Sequence, residues 1–104
     1  MICIMQGDAY EIALTLNDEE NHAIVDTDVA DVEITLGGIR KTYADGDVLY
    51  DDGKWLFPVT QEETMKCLPS ISGLQVRVKY ALGDVVGATI GNVYVTASAS
   101  NEVL

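Results

Sequence analysis

Apolar and polar residues alternate along most of the chain, and this two-residue period is typical of half-buried β-strands. The alternation is clearest between residues 74 and 82. The segment Lys54–Val59 places Trp55, Phe57 and Val59 on one face, and we expect these large side chains at the centre of the core. Further strands are predicted at 10–16, 23–25, 30–36, 39–43, 48–50, 85–90 and 93–97.

Glycine, aspartate and asparagine separate these strands, and each favours a turn for a physical reason. Glycine adopts positive φ at no steric cost, and an Asp side chain bonds nearby backbone N–H groups. The predicted turns are Gly37-Gly38, Asp45-Gly46, Asp51-Asp52-Gly53 and Gly83-Asp84, with a further turn or bulge at Gly91-Asn92.

One segment breaks the alternation and predicts a short helix over residues 60–68. Thr60 followed by Glu63 fits a capping box, in which each residue's side chain bonds the other's backbone N–H. The adjacent acids Glu62 and Glu63 suit the positive end of a helix dipole, and Pro69 ends the helix. We therefore assign these acids to capping and solvation rather than to catalysis.

Short strands with frequent turns and one helix predict an all-β protein. Since strands with one apolar face need a second layer to cover that face, two packed sheets or a barrel would bury it. We expect an immunoglobulin-like β-sandwich of seven or eight short antiparallel strands with one short helix near residues 60–68. It lacks the Cys…Trp…Cys spacing of true immunoglobulin domains. The predicted domain spans residues 1–97, followed by a C-terminal tail at 98–104.

Charge narrows the range of partners. The 104 residues include 17 acids and only 6 Lys or Arg, which gives a formal net charge of −11. Binding nucleic acid or an anionic membrane needs cations, so both partners are disfavoured. No apolar run approaches the roughly 20 residues of a membrane helix, and the N-terminus lacks the basic region of a signal peptide. Cys3 and Cys67 are expected to be free buried thiols.

No catalytic constellation is evident, and we predict a protein that is not an enzyme and needs no cofactor. The single histidine, His22, lies in a polar turn without a recognisable nucleophile. The acids Asp45, Asp47, Asp51 and Asp52 leave two interpretations open. They stabilise and solvate turns, or they supply oxygen ligands to calcium, although their spacing does not match an EF-hand.

Three residues are candidates for a partner surface. Arg77 and Lys79 lie on one predicted strand, and their face should be less acidic than the loops, so we expect it to contact a protein partner. Tyr94 is out of phase with Val93 and Val95, which predicts an exposed ring. Most other aromatic residues are in phase with apolar neighbours and are assigned to the core, with a carbohydrate-binding platform as the alternative.

The order of motifs adds a resemblance to a known group of proteins. The chain opens with Gln6-Gly7-Asp8 before a strand, continues through the segment 51–64, then gives Gln75–Tyr80, a Gly83-Asp84 hairpin and a closing Val93-Tyr94-Val95 strand. This order resembles small phage and prophage structural proteins, especially the N-terminal immunoglobulin-like domain of siphophage upper baseplate proteins. The resemblance implies a structural role and supplies no catalytic residues.

Together these observations predict a non-enzymatic phage or prophage virion component, associated with the baseplate or tail and acting through protein–protein contacts. Its expected partners are other virion proteins and copies of itself. The expected location is the virion, or the bacterial cytoplasm before assembly. The alternative is a carbohydrate- or calcium-binding β-sandwich module.

Overall fold

The computed structural model describes residues 2–100, and this part of the chain is mostly β. It contains eight strands, one short α-helix and one 3₁₀ turn. In chain order the elements are β1 (Ile2–Met5), β2 (Tyr10–Leu14), the 3₁₀ turn (Asp26–Asp28), β3 (Val29–Leu36), β4 (Ile39–Thr42), β5 (Leu49–Asp51), β6 (Lys54–Val59), α1 (Gln61–Met65), β7 (Ile71–Tyr80) and β8 (Val85–Thr96).

The strands form two sheets. Sheet A has the order β1-β8-β7-β3-β4, and sheet B has the order β2-β6-β5. The prediction that all strands are antiparallel is wrong, because β1 runs parallel to β8, with Ile2 beside Val93 and Met5 beside Thr96. These two strands come from opposite ends of the described chain, so no tight turn forces them to be antiparallel.

The core lies between the sheets, and its largest members are the predicted ones. Trp55 and Phe57 are fully buried and Val59 nearly so, which confirms their inward face. The Trp55 indole N–H donates to the Ile24 carbonyl over 3.0 Å, so its one polar atom is satisfied. The rings of Tyr43 and Tyr50 pack on the indole with centroids 5.1 and 4.7 Å away.

The β5–β6 and β3–β4 hairpins form at turns that the sequence predicts. Asp52 and Gly53 both have positive φ, 47° and 79°, and connect β5 directly to β6 in a two-residue turn. Such turns match the twist of paired strands. Gly37, at φ 57°, makes the equivalent connection between β3 and β4.

The helix is shorter than predicted, at Gln61–Met65 instead of 60–68. Its N-terminal capping box is confirmed: Glu63 N–H donates to the Thr60 hydroxyl, and Thr60 N–H donates to the Glu63 carboxylate. The helix ends early because the Cys67 N–H bonds the Thr64 carbonyl three residues back, closing the segment as a turn.

The last two predicted strands, 85–90 and 93–97, are one twelve-residue strand, β8. The register with β7 shifts between Leu74 and Gln75, so a bulge lies at Ile90, next to the predicted Gly91-Asn92 turn or bulge, and both of those residues are paired with β7. The predicted strand at 23–25 is absent from the described chain, where Ala23 makes only an isolated bridge to Asn17. Of the predicted tail, residues 101–104 lie outside the described residues, as does Met1.

Candidate interaction surfaces

The three predicted surface residues all lie on the outer face of sheet A, away from the core. Arg77 and Lys79 alternate with buried Val76 and Val78 on β7, and Tyr94 is 41% exposed on β8. They do not form one patch. Arg77 lies opposite Gly87, so Tyr94 is seven residues further along β8, or roughly 23 Å at strand spacing.

The charged end of this face is an ion-pair network centred on Glu33. Arg77 donates from Nε and Nη2 to Glu33 Oε1 over 2.9 and 2.7 Å, and Arg40 donates to Glu33 Oε2. Hydrogen bonds from Arg77, then Arg40, hold the pKa of Glu33 below its usual value against the opposing effect of burial. The sequence did not reveal Glu33 and Arg40 as partners, because their proximity depends on how the strands pair.

The other end of the face is apolar. Tyr94 lies beside Cys3 of β1 and Ile71 of β7, and Ile71 is 57% exposed. The thiol of Cys3 is free and exposed, contrary to the expectation that it is buried. A two-residue alternation places residue 3 outward, because its neighbour Ile4 is buried.

The four candidate calcium ligands occupy turn and strand-end positions. Asp45 and Asp47 lie in the turn after β4, Asp51 ends β5, and Asp52 is the first residue of the β5–β6 turn. Within residues 2–100, no three His, Cys, Asp or Glu side chains are grouped as a metal site would require.

A polar cluster joins α1 to both sheets. Lys41 Nζ donates to Glu63 Oε1 over 2.8 Å and to the Pro58 carbonyl. Burial raises the pKa of Glu63, but the bonds from Lys41 and Thr60 outweigh it and the net pKa lies below the usual value. The thiol of Cys67 has a raised pKa because of burial and the nearby Glu63 charge, so it is a poor nucleophile.

His22 lies in an acidic surface loop. Its imidazole Nδ1 is 3.9 Å from Asp18 and 3.6 Å from Glu20, and its side chain is 73% exposed. Asp18 organises the loop by accepting hydrogen bonds from the backbone N–H groups of Glu20 and His22. This arrangement is that of an Asx-type turn.

A groove of about 1160 Å³ lies beside the β7–β8 hairpin, and it was not predicted. We call it the hairpin groove. Its lining includes Val76 and Val78 of β7, Val86, Ala88 and Ile90 of β8, and Leu16 and Ile24 from the segment between β2 and β3. The apolar face of β8 is uncovered here: Val86 is 49% and Ile90 41% exposed, and Leu82 at the hairpin tip is 98% exposed.

Comparisons with protein-family models, curated proteins and solved structures found no match to this chain. In the described part of the chain, no helix has the length and apolar character needed to cross a membrane.

Proposed function

We propose that this protein is a non-enzymatic assembly module, an immunoglobulin-like β-sandwich that acts through protein–protein contacts as a phage or prophage virion component. One observation carries the proposal: the β7–β8 hairpin exposes apolar side chains on both faces. Val85 is 58% exposed on the outer face, and Val86 and Ile90 are exposed on the inner face.

Apolar residues concentrated on one element are typical of an interaction site, whereas single exposed ones are common. A long apolar edge strand also tends to pair with other chains unless something protects it. The hairpin combines both properties and adds the fully exposed tip residue Leu82. The resemblance of the motif order to phage structural proteins supports the virion as the place where such a surface is covered.

The alternative binding functions have less support. A carbohydrate platform needs neighbouring exposed rings, but Tyr43, Tyr50 and Trp55 pack against one another in or beside the core. The exposed rings Tyr10 and Tyr94 belong to different sheets. The acids proposed for calcium occupy turn positions that account for them.

The direct test is the composition of assembled particles. A lysogen carrying the gene is induced, particles are purified by density gradient, and the protein is quantified by mass spectrometry. We expect a fixed copy number per particle, comparable to known tail components. Expression in the induced cell together with absence from purified particles would contradict the proposal. A glycan array with and without Ca²⁺ tests the alternative of a carbohydrate- or calcium-binding module. Strong glycan binding in that array would also contradict the proposed assembly function.

A further inference from the structure

Within the part of the chain that the structure describes, the first eight residues of β8 have an unpaired edge. β7 flanks β8 from Val85 to Tyr94, but β1 pairs only with Val93–Thr96 on the other side. Among the described residues, the segment Val85–Asn92 therefore has a neighbouring strand on one side alone, over roughly 27 Å. Because backbone groups point alternately to the two sides of a strand, about four residues offer their N–H and C=O groups to an incoming strand.

The hairpin groove runs along the same segment. Apolar side chains at alternate positions, Val86 and Ala88 with Ile90 at the bulge, line it together with Leu16 and Ile24. An added strand at the β8 edge would direct every second side chain into this groove. The occupant must therefore be extended and apolar at alternate positions.

Charge specifies the occupant further. Of the described residues that line the groove, five are acidic and none is Lys or Arg. These acids are Asp18, Glu19, Glu20, Asp28 and Asp84. Cations on the incoming segment would find complementary charge, which increases both selectivity and the rate of association.

A second copy of the chain fits this site poorly. Pairing two β8 edges would bring the acidic residues of two hairpin grooves together, and each copy carries a net charge of −11. Like charges placed together at an interface disfavour that pairing. A different chain with Lys or Arg beside its apolar positions avoids this repulsion.

We infer that the hairpin groove binds one extended segment of a partner protein by strand addition to Val85–Asn92, and that this segment is apolar at alternate residues and flanked by Lys or Arg. The inference rests on the proposed assembly function and names the surface and the chemistry through which it operates.

A synthetic peptide tests the inference directly. The probe has Val or Ile at alternate positions, Thr between them and two Lys at each end, and a matched peptide carries Glu in place of Lys. Binding is measured by fluorescence anisotropy, and ¹⁵N NMR with amide hydrogen exchange locates it. We expect slowed exchange in Val85–Asn92, at least about tenfold tighter binding of the Lys peptide, and weakening of that binding by salt.

Two variants separate apolar insertion from simple charge attraction. Val86→Asp and Ile71→Asp add the same charge at exposed apolar positions, but Val86 lines the groove, whereas Ile71 lies on the outer face of β7, outside the Val85–Asn92 segment. If the groove takes apolar side chains, V86D weakens binding of the Lys peptide at least about tenfold, while I71D leaves its affinity within about twofold. Equal strengthening by both variants would show charge attraction alone and would overturn the inference. Trp55 fluorescence and the NMR spectrum verify that both variants fold.

Failure of this inference is distinguishable from failure of the proposed function. Absence of exchange protection in Val85–Asn92 with every peptide would overturn strand addition at β8. Equal affinity for the Glu peptide would overturn the charge assignment. In either case, a fixed copy number in particles would still support an assembly role, with cross-links from particles identifying another surface.

Discussion

The hydroxyl of Thr64 offers a sharp test of how α1 is fixed to the start of the chain. Thr64 is fully buried, and its Oγ1 accepts from the Gly7 N–H over 2.9 Å and donates to the Asp8 carbonyl over 2.7 Å. These bonds join residues more than 50 positions apart in the sequence. The variant Thr64→Val keeps the shape of the side chain and removes both bonds.

The expected cost follows from the groups left without partners. A buried donor or acceptor without a partner costs about 1–3 kcal/mol. Gly7 is half-buried and Asp8 is exposed, so water can hydrogen-bond in part to the Gly7 N–H and the Asp8 carbonyl. The low end of that range therefore applies to each group. We therefore expect T64V to lower the free energy of unfolding by about 2–3 kcal/mol. The control Thr64→Ser keeps the hydroxyl and loses one methyl group, which costs about 1 kcal/mol.

Urea unfolding followed by fluorescence of the single tryptophan measures both variants, and amide exchange at Gly7 adds a local readout. We expect the order wild type, T64S, T64V from most to least stable, with rapid Gly7 exchange only in T64V. If T64S is as destabilised as T64V while Gly7 stays protected in both, the loss arises from packing and the hydrogen-bond reasoning is refuted.

Three further predictions concern charge, thiols and the core. Because the pKa of Glu33 is lowered on folding, its ion pairs with Arg77 and Arg40 stabilise the protein above the unfolded carboxyl pKa, and this contribution is lost as pH falls through the lower folded value. Glu33→Gln should therefore flatten the acid limb of a stability–pH curve, and an unchanged limb would contradict this. With Ellman's reagent, Cys3 should react at least about tenfold faster than Cys67, measured in Cys3→Ser and Cys67→Ser single variants; the reverse order would contradict the assigned exposures. Trp55→Phe removes the donor to the Ile24 carbonyl and leaves a void in the core. We therefore expect the free energy of unfolding, measured by thermal unfolding followed by circular dichroism, to fall by about 2 kcal/mol or more. A decrease under about 0.5 kcal/mol would argue against that hydrogen bond.

The features that the sequence predicted well are local ones. The inward face of Trp55, Phe57 and Val59 follows from alternation within six residues, and the Thr60 cap follows from a spacing of three. The Asp52-Gly53 turn depends on which residues tolerate positive φ. In each case the residues that cause the feature lie within about six positions of one another, so the sequence pattern is enough to predict it.

The features that were missed depend on which strands become neighbours. The parallel pairing of β1 with β8 joins residues about 90 positions apart, and the Glu33–Arg77 pair joins residues 44 apart. Alternation predicted that Arg77 and Tyr94 are exposed, but only the register shows that they lie at different ends of one face. The hairpin groove could not be predicted either, because it also depends on strand pairing. It lies where, among the described residues, no strand covers the apolar face of β8.

The negative charge around the hairpin groove has a physical connection with the apolar edge of β8 beside it. An uncovered apolar strand edge favours pairing between identical chains, and natural proteins limit this with charges near the edge. Here the nearby charges are five carboxylates around the hairpin groove, and they repel a second copy while attracting a cationic strand. The same acids can therefore oppose self-association and select the partner. In the binding mode that we propose, the charge that disfavours nucleic acid and membranes as partners also selects the protein segment that the groove accepts.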